Sequence, residues 1–247
     1  MFIYNIWIIF SRELKNYFIT PIAYVFMAIF LLMNGIFTFY IGSFFSRGIA
    51  DLAPFFSAHP WIYMVFIPAV TMRLWAEEKK QGTMELLFTL PITTLEAVIA
   101  KLLAAWTFMI ISLSLTFPLF IAVNYLGNPD NGVIIAGYIG SILMAGAFIG
   151  IGTCVSAITS NQVIAFVGSF LICLLFNVSG FPVFVDYFSN ILPDFMLETI
   201  QTFSFITNFD TIVKGLIDAK VIVYFISVLL SWMLANVMVL ELNKARD

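Results

Sequence analysis

RLWAEEKKQGTMELLFTLPITTLE, residues 73–96, is the densest run of charge in a chain that is otherwise largely apolar. It holds Arg73, Glu77, Glu78, Lys79, Lys80, Glu85 and Glu96, with long apolar runs on both sides. Gly82 and Pro91 bracket a short segment, Thr83 to Leu90. As a helix, that segment places Leu86, Leu87 and Leu90 on one face and Glu85 toward water. A polar loop carrying a short amphipathic helix between two membrane spans is a handle for a soluble partner. The plainer alternative is a solvated connection with no partner, because charged runs are commonly just solvated.

The apolar flanks set the class. Of 247 residues, 62% are apolar and 10% charged, and the mean hydropathy is +1.05. Soluble domains carry about a quarter charged residues, so this is an integral membrane protein. A formal charge of −3 without a basic cluster excludes a nucleic-acid partner. Cys154 and Cys173 lie inside apolar runs and read as small core residues. With His59 as the only histidine, no metal or haem site and no cofactor is expected in this chain.

Working outward from the loop, six segments meet the roughly 20 residues a spanning helix needs: 22–45, 57–75, 94–125, 133–158, 162–185 and 220–240. Pro68 should kink the second, since proline removes a helical hydrogen bond. Thr93 and Glu96 have the spacing of a capping box at the start of the third. That span also holds Lys101, expected to snorkel to the headgroups, and Pro118, expected to bend it. GNPDNG at 127–132 is a turn. The fourth span carries Gly137, Gly140, Gly146, Gly150 and Gly152, and Gly146-x-x-x-Gly150 favours close helix approach.

The tetrad TSNQ at 159–162 predicts a tight turn into the fifth span. Residues 186–218 alternate acids with Phe, Leu and Ile, which predicts one or two short amphipathic or re-entrant helices at the outer surface. At the other end, Phe2, Ile3, Ile6, Phe10, Leu14 and Phe18 recur at helical spacing. Residues 2–19 therefore read as an interfacial helix. Arg12 and Lys15 follow the apolar start, where a cleavable signal peptide would place them first.

Lys and Arg placement orients the chain. With the amino terminus inside, cytoplasmic regions hold Arg12, Lys15, Arg73, Lys79, Lys80, Lys101, Lys244 and Arg246. The outside receives Arg47, Lys214 and Lys220 together with most of the aspartates. The expected fold is thus all-α and polytopic: an interfacial helix, six transmembrane helices and both termini cytoplasmic, with 76–92 a cytoplasmic loop. The sequence shows no carboxylate deep in a span, no nucleophile–base pair and no P-loop. Any work this protein drives must draw its energy from another chain.

The charged stretch carries a resemblance. Arg73 followed by AEEKKQGTMELLFTLPIT at 76–93 is similar to the membrane subunits of type-2 ATP-binding-cassette (ABC) exporters. That pattern has a basic residue at the inner end of the second span. Paired acids, Gly-Thr, an acid, two leucines and a Pro-Ile/Val-Ser/Thr ending follow. GNP at 127–129, GYIGSILMAGAFIGIG at 137–152, SAITSNQVIAF at 156–166 and FDTIVKGLIDAKVIVYFISV at 209–228 resemble the subgroup associated with gliding motility.

The resemblance implies a permease of the bacterial inner membrane. Its loop is a coupling helix docking on a cytoplasmic ABC ATPase subunit, which binds the ATP and Mg. Arg73, Glu77, Glu78, Gly82, Thr83, Glu85, Leu86 and Leu87 would form that coupling region, with Thr159, Ser160 and Asn161 a smaller contact. Leu86 and Leu87 would fill an apolar groove, and the glutamates would pair with basic residues at its rim. Six spans make half of such a transporter, so a homodimer or a related partner subunit is implied. A second reading keeps the ATPase but moves no solute, transmitting force to a periplasmic partner through 186–218. An intramembrane enzyme lacks the residues it would need.

Overall fold

The computed structural model describes residues 2–181, 193–216 and 218–244, which form helices with no strand among them. Helix α1 (Phe2–Ile19) runs to Thr20, and Pro21 opens α2 (Pro21–Gly35), which a π-helical segment continues to Ile41. Proline suits a first helical position because its missing N–H needs no partner there. Gly42 N–H reaches back five residues to the Phe37 carbonyl (2.7 Å), and Ser43 then adopts a left-handed φ of 48°. The helix therefore stops before residue 45.

Next come α3 (Ala53–Thr71), α4 (Ala76–Gln81) and α5 (Thr83–Thr89). The span expected over 94–125 is two helices, α6 (Thr94–Ser114) and α7 (Phe117–Leu126). The break falls at Leu115–Thr116, with Pro118 in the first turn of α7. The capping box at the start of α6 is formed: Thr93 Oγ1 accepts from Glu96 N–H (3.2 Å), and the Glu96 carboxylate accepts from Thr93 N–H (2.7 Å).

Helix α8 (Asn131–Ile158) is followed by α9 (Gln162–Val178), α10 (Asp194–Thr202), α11 (Phe205–Val213) and α12 (Ala219–Lys244). Among the described residues five stretches are long and apolar enough to cross a membrane: Pro21–Ile41, Ala53–Gln81, Thr94–Leu126, Asn131–Ile158 and Ala219–Lys244. Helix α9 is apolar but only 17 residues long. Residues 182–185 of the span expected there lie outside the described residues, as do 186–192 of the segment that follows it. Helices α10 and α11 fall in the part of that segment described.

Helix α8 is the centre of the bundle. Its 28 residues make a rod about 42 Å long. Glycine lets neighbours close in from several sides, which matters where packing in lipid depends on contact alone. A Cβ on Gly137 would stand 2.6 Å from the Phe56 ring of α3. One on Gly140 would meet Ile212 of α11 at 2.8 Å, and one on Gly152 would meet Thr71 at 2.1 Å. The Gly146-x-x-x-Gly150 pair is divided between partners: Gly146 lies under the Trp106 ring of α6, Gly150 against the backbone of α12 at Leu229.

Polar groups inside the bundle pair sparingly across helices. His59 is buried between α2 and α8, its Nε2 3.1 Å from Asn34 Oδ1 and its Nδ1 2.7 Å from Ser141 Oγ. A neutral ring donates from one nitrogen and accepts at the other, and the Ser141 hydroxyl also donates to the Gly137 carbonyl of its own helix (2.7 Å). Asn177 of α9 donates to the Pro60 carbonyl (2.8 Å). Ser112 and Ser114, by contrast, return their hydroxyls to Phe108 and Ile110 of their own helix.

Candidate functional site

The charged stretch folds into a helical hairpin, α4 and α5, turned at Gly82. A left-handed φ of 69° there stops α4, and the Gly82 N–H bonds the carbonyls near that helix's end. Glycine is the residue that takes this conformation without strain.

The hairpin is fastened to the bundle by a few named contacts. Its first two amide groups, Trp75 N–H and Ala76 N–H, both donate to Ser156 Oγ of α8 (3.1 Å each). The same hydroxyl donates to the Met72 carbonyl (2.9 Å). One serine thus serves the open N-terminus of α4 and the turn that ends α3, groups no helix satisfies internally. Lys79 donates to the Ala157 carbonyl at the end of α8. Lys244 of α12 stands over the Phe88 ring of α5, 5.5 Å from its centroid.

A buried charge cluster makes the strongest attachment. Lys101 of α6 is 1% exposed. Its Nζ donates to Glu78 Oε1 (2.9 Å), to the Leu74 carbonyl (3.0 Å) and to Glu13 Oε1 (3.1 Å), and lies 4.9 Å from the Trp75 ring centroid. Arg12 adds a second cation to Glu13 (2.7 Å). Burial pushes the Glu13 carboxyl upward, but Lys101 and Arg12 outweigh it and hold the group below its ordinary 4.5. Helices α1, α4 and α6 meet at this cluster. Two further contacts clamp α1: Asn5 donates to Glu96 of α6 (3.1 Å), and the Tyr17 hydroxyl to the Val70 carbonyl of α3 (3.1 Å).

Lys101 therefore does not snorkel. The sign was present in the sequence: Ala97, Ala100, Ala104 and Ala105 surround it on α6 and are all fully buried. That small-residue face packs against another helix and is closed to headgroups. Glu78, expected to face a partner, is spent inward on Lys101. Arg73 pairs with Glu77 through Nε (3.0 Å).

The two leucines of α5 part company. Leu87 is 4% exposed and packs inward with Met84, whereas Leu86 is 66% exposed and shares the outer surface with Glu85, Thr83 and Leu90. Seven residues make barely two turns, and successive positions on a helix stand about 100° apart. Leu86 and Leu87 cannot both face a partner.

The 159–162 turn lies beside the hairpin, next to the end of α8. Asn161 is its structural member: its Oδ1 accepts from Val163 N–H (2.9 Å) and caps α9. Thr159 Oγ1 accepts from Asn161 N–H (3.1 Å), and Ser160 is exposed. Between α1, the foot of α2 and the hairpin opens a cavity of about 680 Å³. Its lining mixes charged side chains, Arg12, Arg73 and Glu77, with apolar ones, Ala23, Phe26, Leu86 and Leu90.

Residues 18–240 match the family model described as ABC-2 family transporter protein. No curated protein matches the chain.

Proposed function

The chain belongs to the ABC-2 transporter family, and from that premise we propose that it is a permease subunit of export type, driven through α4–α5 by an ABC ATPase. The observation that carries this reading is the mounting of the hairpin. Its exposed face, with Glu85 and Leu86, is free to take a partner, and Thr83, Leu86 and Leu90 form the edge it shares with the cavity. Its inner face is tied to α3 and α8 through Ser156, and to α6 and α1 through Lys101. A push on the outer face reaches four long helices at once. The exposed turn at 159–161 lies close enough to join the contact.

The same reading places both termini and the hairpin in the cytoplasm of a bacterium, with the inner membrane around the spanning helices. It pairs two such subunits, identical or related. The strings at 127–129, 137–152, 156–166 and 209–228 support a kinship with the gliding-motility-associated permeases. One observation favours the alternative of force transmission without transport. Helices α10 and α11 expose Phe195, Met196 and Phe203 at the end of the bundle opposite the hairpin, a surface a periplasmic partner could grip.

The test separates the leucines. Leu86→Asp should abolish co-purification of the ATPase while the chain inserts and migrates as the parent does on size exclusion. Leu87→Asp, buried under α5, should instead lower folded yield. ATPase binding that survives Leu86→Asp overturns the coupling assignment.

A further inference from the structure

The cavity beside the hairpin is lined by both charged and apolar side chains: Arg12, Arg73 and Glu77 among the first, Ile22, Phe26 and Leu90 among the second. We propose that it holds one glycerophospholipid with a zwitterionic, amine-bearing headgroup. The headgroup sits against the charged groups, and an acyl chain leaves past Ile22 and Leu90 into the bilayer.

Three observations point to that occupant. The first is the exit. Ile22, Val25, Ile29 and Leu32 follow one another at three- and four-residue steps, so they form one stripe on α2, and all four are exposed. The stripe starts at the cavity and runs up a spanning helix, so the apolar lining continues into a lipid-facing surface. The second is charge. The lining holds Arg12, Arg73 and Lys101 against Glu13, Glu77 and Glu78. The two signs balance, so the site has no net pull on an anionic lipid, yet both signs line it.

The third is unspent donors. Among the described residues Arg12 bonds only through Nη2 and Arg73 only through Nε. Both guanidinium groups are left with N–H donors for a phosphate, the geometry arginine is suited to. Glu77, partly exposed beside Arg73, can accept from a primary ammonium, whereas a quaternary ammonium has no N–H to give. A volume of about 680 Å³ lies within the range of small-molecule pockets.

The experiment is native mass spectrometry of the full-length chain, purified in a delipidating detergent. It is offered equal amounts of dioleoyl phosphatidylethanolamine, phosphatidylcholine and phosphatidylglycerol. The expected result is one retained lipid per chain, with phosphatidylethanolamine preferred. Arg73→Gln among the charged groups and Leu90→Glu among the apolar ones should each cut retention roughly tenfold. Leu234→Ala, on the exposed face of α12, should leave retention unchanged. Equal retention of the three lipids, or retention indifferent to both cavity variants, overturns the proposal. So does a segment of the ATPase cross-linked into the cavity of a lipid-free complex. No ATPase enters the binding measurement, so its failure leaves the coupling reading standing.

Discussion

Lys101 is a cation in the interior of a membrane protein, and its cost is met by geometry. Burying an ammonium is tolerable when carboxylates and carbonyls replace water around it, and here two glutamates, a carbonyl and an indole face do so. The pairing has a pH signature. The carboxyl of Glu13, whose side chain is 10% exposed, is held below its ordinary value of 4.5. A depressed carboxylate stabilises the folded state fully above its unfolded value and loses that contribution as pH falls through its folded one. Thermal unfolding in detergent between pH 7 and pH 3 should therefore show the parent losing stability below about 4.5. Glu13→Gln should start lower at pH 7, and the gap between the two should close as the pH drops. A gap constant with pH would mean that Glu13 contributes by packing alone.

The elements differ in how much of their surroundings they announce. Helix α8 is glycine-rich, and its close approach to neighbours follows from composition alone. Which neighbour each glycine meets does not, and Gly146 and Gly150 turned out to serve different helices. The most demanding contact is Gly152, where an added Cβ would stand 2.1 Å from Thr71 Oγ1 and 2.9 Å from Thr71 Cβ. Thr71 ends α3, immediately before the turn into α4, and its hydroxyl is committed to the Ile67 carbonyl (2.9 Å). Gly152→Ala should destabilise the fold by about 1–3 kcal/mol, the usual range for overpacking. Gly82→Ala meets nothing within 4 Å and would act through its backbone conformation instead. Melting of purified Gly152→Ala in detergent checks the first claim, and restoration by Thr71→Ala but not by Thr71→Ser, which keeps the hydroxyl, would locate the clash at Oγ1.

At the scale of the whole molecule, hydrophobic length and charge placement made the helical membrane architecture legible, because both are properties of single segments. The Thr93–Glu96 cap and the glycine turn at 82 were legible for the same reason: each is settled within a few residues. The ion cluster joins positions 13, 78 and 101, and the inward turn of Leu87 depends on what lies beneath it. Neither is a property of any one window of sequence. Sidedness belongs to the same scale, and two exposed positions test it. Ser160 lies in the turn after α8, beside the hairpin; Lys214 lies at the other end, where its neighbour Gly215 abuts Val133 near the start of α8. Both are exposed, and both native cysteines, Cys154 and Cys173, are buried. In intact cells a membrane-impermeant maleimide should label Lys214→Cys and spare Ser160→Cys, with the unsubstituted chain as background. Ser160→Cys should become labelled only once the membrane is permeabilised. The reverse pattern would put the hairpin outside, beyond the reach of any cytoplasmic ATPase, and would remove the coupling reading together with the orientation drawn from Lys and Arg placement.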